Sequence, residues 1–230
     1  MSRRKLVIAI DGPAGSGKST TARLVARRLG YLHVDTGAMY RAVTLKVLRS
    51  GIDPLDAERV GRLVESTHVE LHQHDGRLRV VLDGVDVTEE IRTPDVTRAV
   101  SSVSALRKVR EAMVRQQRLV DKEGGIVLDG RDIGTVVFPD ADLKFFMVAD
   151  IEERARRRVA ELRGQGIEAR LEDMTQDIRK RDSLDSTRSE SPLRQAPDAI
   201  EIDTTRLSID QQVDFVIRRV QEVEERNTRR

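Results

Sequence analysis

The chain has 230 residues, enough for one complete core with inserts but a tight fit for a second full domain. Its 41 lysines and arginines are balanced by 39 aspartates and glutamates, which argues against a nucleic-acid groove as its main surface. Cysteine is absent, which excludes disulfide and thiol-metal chemistry, and no apolar run approaches the roughly 18 residues that span a bilayer, so a soluble cytoplasmic protein without membrane attachment is expected.

Leu6 to Ile10 is an apolar, β-branched run closed by Asp11-Gly12, and reads as a buried parallel strand. Ala22, Val25, Ala26 and Leu29 then recur at helical spacing, with Gly30 as the stop. A short strand at 32–34 follows, then Asp35-Thr36-Gly37 and a helix to about Arg49. Residues 55–66 read as a further helix. From Val69 to Thr88 the pattern changes to alternation, with Asp75-Gly76 and Asp83-Gly84 as turn signals, predicting two or three short antiparallel strands in an insert. Helical pattern returns from about Asp95 to Lys122, and buried strands are expected at 126–128 and 144–148. Helices at 151–163 and 170–182 flank Gly164-Gln-Gly166 and lead to a polar loop with Pro192 and Pro197. A last strand at 199–202 and an amphipathic helix from Ser208 to about Glu225 complete the chain. This alternation predicts an α/β fold, a parallel β-sheet with helices on both faces and ligands at the carboxyl ends of the strands. Residues 1–230 are expected to form one domain.

Gly12-Pro13-Ala14-Gly15-Ser16-Gly17-Lys18-Ser19 matches GxxxxGK[ST] and stands where that motif must, between a buried strand and a helix. The glycines let backbone N–H groups converge on phosphate oxygens, and the helix N-terminus adds its dipole. With Thr20 these residues are the expected ATP-binding loop, Lys18 lying along the β- and γ-phosphates and Ser19 offering its hydroxyl to Mg²⁺, the one cofactor implied. A GTPase would carry Asn-Lys-x-Asp, yet the only asparagine is Asn227, followed by Thr228. A motor or transporter would need more chain, so a small phosphotransferase leads.

Three arginine-bearing segments could present a second phosphate to that loop: Asp35-Thr-Gly-Ala-Met-Tyr-Arg41, Asp129-Gly-Arg131-Asp132, and Arg181-Asp182-Ser-Leu-Asp185-Ser-Thr-Arg188. A guanidinium suits a bidentate grip on phosphate, although any one of them could be a solvated surface residue. Asp129, ending a buried strand, is the first candidate to orient Mg²⁺ through water, with Asp35 second; Asp129 could also be a simple turn residue before Gly130. Arg154 and Arg158 share a helix face, and a helical pair over 152–188 closing on ATP would bring them to the transferring group. The alternatives are a solvated face or a nucleic-acid patch. Ten basic and ten acidic residues from 151 to 190, no tryptophan and 3% aromatics disfavour the patch.

Across nearly its whole length the chain resembles the bacterial-type cytidylate kinases. The residues that carry the resemblance are Asp11-Gly-Pro-Ala-Gly-Ser-Gly-Lys-Ser19, Asp35-Thr-Gly-Ala-Met-Tyr-Arg41, Glu90-Ile-Arg-Thr93, Val109-Arg-Glu111, Asp129-Gly-Arg-Asp-Ile-Gly-Thr-Val-Val-Phe-Pro139 and Arg181-Asp182. It implies transfer from ATP to CMP or dCMP, with residues 67–105 as the monophosphate-binding insert. It further implies that Thr36, Arg41, Arg131 and Arg188 hold the CMP phosphate, that Ser101, Arg110 and Asp132 read cytosine, and that Arg181 and Asp185 contact the sugar. Thr36 stands where the family often has Ser, and Ser102 or Ser104 could take the place of Ser101. Asp132 could instead cap the turn that follows it. A monomer whose partners are ATP and CMP or dCMP is expected. A kinase for UMP or another small acceptor, and a nucleotide-binding module without phosphotransfer, are the other readings.

Overall fold

A computed structural model describes residues 5–74, 77–120, 124–164 and 166–228. The Asp75-Gly76 turn signal, Lys122 and Gln165 fall outside them. The first half comprises β1 (Val7–Asp11), α1 (Lys18–Leu29), β2 (Leu32–Asp35), α2 (Thr36–Arg49), α3 (Ala57–Glu65), β3 (Val69–His74), β4 (Arg77–Leu82), β5 (Val85–Asp86), a 3-10 turn (Glu90–Arg92), α4 (Pro94–Ala105) and α5 (Arg107–Arg118). The second comprises β6 (Ile126–Gly130), a π-helical turn (Ile133–Val137), β7 (Leu143–Val148), α6 (Ile151–Gly164), α7 (Leu171–Thr187), β8 (Ile200–Asp203) and α8 (Ile209–Thr228).

Five strands form one sheet in the order β2-β6-β1-β7-β8, every neighbouring pair parallel. β1 lies at its centre and is buried throughout, which is why its sequence is continuously apolar rather than alternating. Ile8 and Ile10 pack with Ala22, Val25 and Ala26 of α1 and with Val213 and Val216 of α8. Val7 and Ala9 face the other way, toward Val34, Leu128, Ile133 and Val137. The α/β expectation is met, and the carboxyl ends of β1, β2 and β6 lie side by side, with Asp11 opposite Gly130 and Asp35 opposite Asp129.

The alternating stretch forms three antiparallel strands, β3-β4-β5, at the upper end of the predicted number. Val69, Val80 and Leu82 pack into a second core with α2 to α5, built around Met39, Val43, Val103 and Met113. The helical pattern expected from about Asp95 is met by two helices, α4 and α5. Leu106 between α4 and α5 is extended, φ −70° and ψ 127°, and no glycine or proline marks the break. α7 continues past the expected end at 182 to Thr187, so Arg181, Asp182 and Asp185 sit on one helix.

Candidate active site

The loop after β1 enters α1 through Gly17 at φ +92°, and a Cβ at Gly12 would collide with the Met147 carbonyl of β7, so both positions require glycine. No side chain caps α1 and no acidic residue lies in its first turn, which leaves the N-terminal dipole open to an anion. Lys18 is 7% exposed, its Nζ donating to the Pro13 carbonyl at 3.1 Å. Ser16 is buried, while Ser19 and Thr20 are exposed on the first turn. The loop is braced from behind: Thr204 Oγ1 donates to the Ser16 carbonyl at 2.8 Å, and Arg154 Nη1 to the Ala14 carbonyl at 3.1 Å.

Ser19 donates its hydroxyl to Asp129 Oδ2. The other oxygen of that carboxylate meets His33 Nε2 at 2.8 Å, and the Asp129 carbonyl accepts from Thr36 Oγ1 at 2.7 Å. Burial acts to raise the Asp129 pKa, but the His33 hydrogen bond and charge, Lys18 and Ser19 outweigh it and hold the group below the usual carboxylate value. Its neighbour Asp35 is raised, by burial and by the Asp129 charge, and caps α2 by accepting from Ala38 N at 3.0 Å. Asp129 is therefore the more acidic member of the pair, and it lies within β6 rather than in a turn. Ser19 and Asp129 supply adjacent hard oxygen donors beside the phosphate loop, a set that suits Mg²⁺.

A rim of guanidinium groups gathers around Asp132 and Asp185. Arg131 Nε donates to Asp185 Oδ2 at 2.7 Å, and Arg188 lies 3.8 Å from Asp185 and 4.0 Å from Asp132. Arg110 pairs with Asp132, donates to the Ser104 carbonyl at 3.2 Å and stands 5.3 Å from the centroid of the Tyr40 ring. Asp132 makes no capping bond to the following turn, which removes the capping alternative. Ser104, not Ser101, meets Arg110; the Ser101 carbonyl accepts from Ser104 Oγ within α4. Arg41 donates to Thr97 Oγ1 at 2.9 Å. Arg181 is pulled down to about 9, first by burial and then by Arg131. Burial also lowers Lys18, to about 7, with the Arg131 and Arg181 charges adding to it, so the rim and the phosphate loop share one field. Arg154 spans the phosphate loop and α7, bonding Ala14, the Ala149 carbonyl at 3.0 Å and Asp182 at 2.6 Å. Arg158 pairs with Glu161, and its charge is felt at Arg41 and Arg181.

The family model for cytidylate kinase matches residues 8–222. The chain belongs to the cytidylate kinase family. A cytidylate kinase of Symbiobacterium thermophilum is 52% identical over 216 residues, 94% of this chain and 96% of that protein. One of Limosilactobacillus reuteri is 53% identical over 209 residues, 90% and 92% of the two chains. A solved gluconokinase of Sinorhizobium meliloti 1021 is similar at 14% identity with a TM-score of 0.47, over 99% of this chain and 98% of that one.

Within this cytidylate kinase family member the sequence reading gave no role to Asp11, His33, Arg157, Asp182 or Gln212. Asp11 accepts from Ile133 N and Gly134 N. Arg157 donates to the Thr204 carbonyl at 2.6 Å, and Gln212 Oε1 accepts from Thr21 Oγ1 at 2.8 Å. Gln212 ties the helix after the phosphate loop, and Arg157 the loop itself through the Gly15 carbonyl, to the far end of the chain, a relation no local spacing encodes. For His33 a signal existed: a lone imidazole inside an apolar strand, two residues before an aspartate, needs a buried polar partner.

Proposed function

We infer that the chain transfers the γ-phosphoryl group of ATP to the phosphate of CMP or dCMP, giving ADP and CDP or dCDP. The observation that carries this reading is the joining of two anion-ready surfaces, the phosphate loop with Lys18 and the Arg131, Arg181 and Arg188 rim, in one chain of cytidylate kinase sequence. Gly12 to Thr20 would cradle ATP, and Lys18 would neutralise the β- and γ-phosphates. Ser19 and Asp129 would hold Mg²⁺, which when bound draws charge from the phosphate oxygens.

Thr36, Arg41, Arg131 and Arg188 would hold the acceptor phosphate; the Thr36 proton, now given to the Asp129 carbonyl, would have to be won from the backbone. An oxygen of that phosphate attacks the γ-phosphorus as the bond to the β–γ bridging oxygen breaks. The acceptor is already anionic, so no general base is required and alignment supplies most of the rate. Arg110 and Asp132, with Ser101, would read cytosine, the carboxylate accepting from the 4-amino group. Arg181 and Asp185 would meet the sugar. Residues 67–105 would form the acceptor-side insert and 152–188 the lid, with Arg154 and Arg158 closing on the transferring group and excluding water. Every group named comes from one chain, so a monomer suffices, and a cytoplasmic enzyme fits the location of its substrates.

The test is coupled ADP release with Mg-ATP across CMP, dCMP, UMP and AMP. CMP and dCMP are expected to be fastest; faster turnover of UMP or AMP overturns the assignment, and the lack of any acceptor-dependent release favours a nucleotide-binding module.

A further inference from the structure

Asp11 closes β1 one residue before the phosphate loop and is 4% exposed. Its carboxylate turns toward a different part of the chain: Oδ1 accepts from Ile133 N at 2.9 Å and Oδ2 from Gly134 N at 2.8 Å. These N–H groups open the π-helical turn Ile133–Val137, which receives no side-chain cap from the residue before it, Asp132. A helical turn leaves its first N–H groups without internal partners, and here one carboxylate from the central strand takes two of them.

We propose that Asp11 is a positioning residue for the acceptor nucleotide: by anchoring the turn that starts at Ile133, it fixes Arg131 and Asp132 relative to the phosphate loop that begins beside it. The inference rests on assigning Arg131 and Asp132 to the acceptor. The packing leaves the turn little freedom. A Cβ on Gly134 would stand 3.5 Å from Asp11 Oδ2 and 3.1 Å from Lys144 Cδ, so the turn is pressed between the carboxylate and the Lys144 stem. A shift of the carboxylate is therefore passed to Asp132.

Burial lifts the Asp11 carboxyl to about 7 despite its two N–H bonds, with Asp132 raising it further and Arg131 opposing. Lys144, whose stem packs on the same turn, is committed to Asp198 and the Pro139 carbonyl. A protonated carboxyl keeps one good acceptor oxygen, so the anchor weakens as pH falls through that value.

Asp11→Asn keeps the shape but turns an amide NH₂ toward one of the two donors. At about pH 8 its KM for CMP is expected to rise about tenfold, with the KM for ATP changed less than about twofold. CMP and Lys18 titrate in the same range, so the readout is the KM for CMP of the variant divided by that of the wild type, in which their titrations cancel. That ratio should fall toward one as pH is lowered to about 6. Equal rises in both KM values, or a ratio independent of pH, overturn the proposal. Should the variant not fold, the wild type decides: the amide resonances of Ile133 and Gly134 should titrate together with a midpoint near 7, and flat traces overturn it. Asp132→Asn separates the two claims. If it leaves the KM for CMP unchanged, the acceptor assignment fails and takes this proposal with it; a CMP-selective effect there with none from Asp11→Asn overturns the role of Asp11 alone.

Discussion

Arg110 and Asp132 form an ion pair whose side chains are only 4% and 5% exposed, with the guanidinium lying against the Tyr40 ring. Removing one partner of a buried pair leaves the other charge uncompensated, at a cost of about 3–5 kcal/mol. Asp132→Ala should lose stability of that order in urea melts, and Arg110→Met added to it should lose less than the sum. Asp132→Asn keeps an acceptor for Arg110, so it should remain folded while its preference shifts from CMP toward UMP by about tenfold or more, read as the ratio of the two kcat/KM values.

Lys18 is held in a site that penalises its charge. Its pKa of about 7 lies below the unfolded value of 10.5, so between those values the unfolded chain binds the extra proton and the stability contributed by this group rises with pH. Below about 7 the full cost of burying the ammonium is present. Lys18→Met should therefore abolish most phosphotransfer and yet raise stability, by roughly 1–3 kcal/mol near neutral pH, with the gain fading toward pH ~10. Thermal melts across that range test the sign.

ATP should reverse the Lys18 shift, because the phosphates favour the ammonium. Binding at about pH 8 is then expected to take up a proton, and binding at about pH 6 to take up almost none. Calorimetry in buffers of different ionisation enthalpy measures the uptake directly.

His33 orients the Asp129 oxygen that does not face Ser19. His33→Phe removes that hydrogen bond from a fully buried carboxylate, so the Mg²⁺ concentration for half-maximal rate should rise about tenfold while the KM for CMP stays within about twofold. A magnesium titration at saturating nucleotide separates this from general loss of fold.

Arg154 reaches two carbonyls and Asp182 at once, which one ammonium on a flexible stem cannot reproduce. Arg154→Lys should lower kcat about tenfold or more and raise the ratio of ATP hydrolysis without acceptor to phosphotransfer, since α7 is then tied less firmly to the loop. Product analysis by chromatography reads both quantities.

The phosphate loop was legible because its strand, turn and helix are contiguous, and each of Gly12, Gly17 and Lys18 answers a local requirement. β6 and β7 were legible because burial on both faces writes itself as an apolar run. The break at Leu106 was not, since one residue in an extended conformation costs little and needs no glycine or proline. The end of α7 was misplaced for a related reason: polar residues of 183–187 look like loop, but Asp185 is buried by the arginines it serves, and the helix continues to carry it there. Asp11 read only as the close of a strand, because its partners lie more than a hundred residues away. Family resemblance supplied the proposed division of roles; chemistry alone had grouped the three arginine segments without dividing phosphate from base.

Arg41, Arg131, Arg181 and Arg188 crowd one rim with Asp132 and Asp185 between them, and burial depresses Arg41, Arg181 and Arg188. Guanidinium groups buried this close together disfavour one another's charge, and a bound anion offsets that cost. Whatever binds the folded chain alone also shields it from unfolding. The protein's lifetime against a protease should thus lengthen with nucleotide concentration, so that a starved cell would hold less of the enzyme as well as less for it to work on.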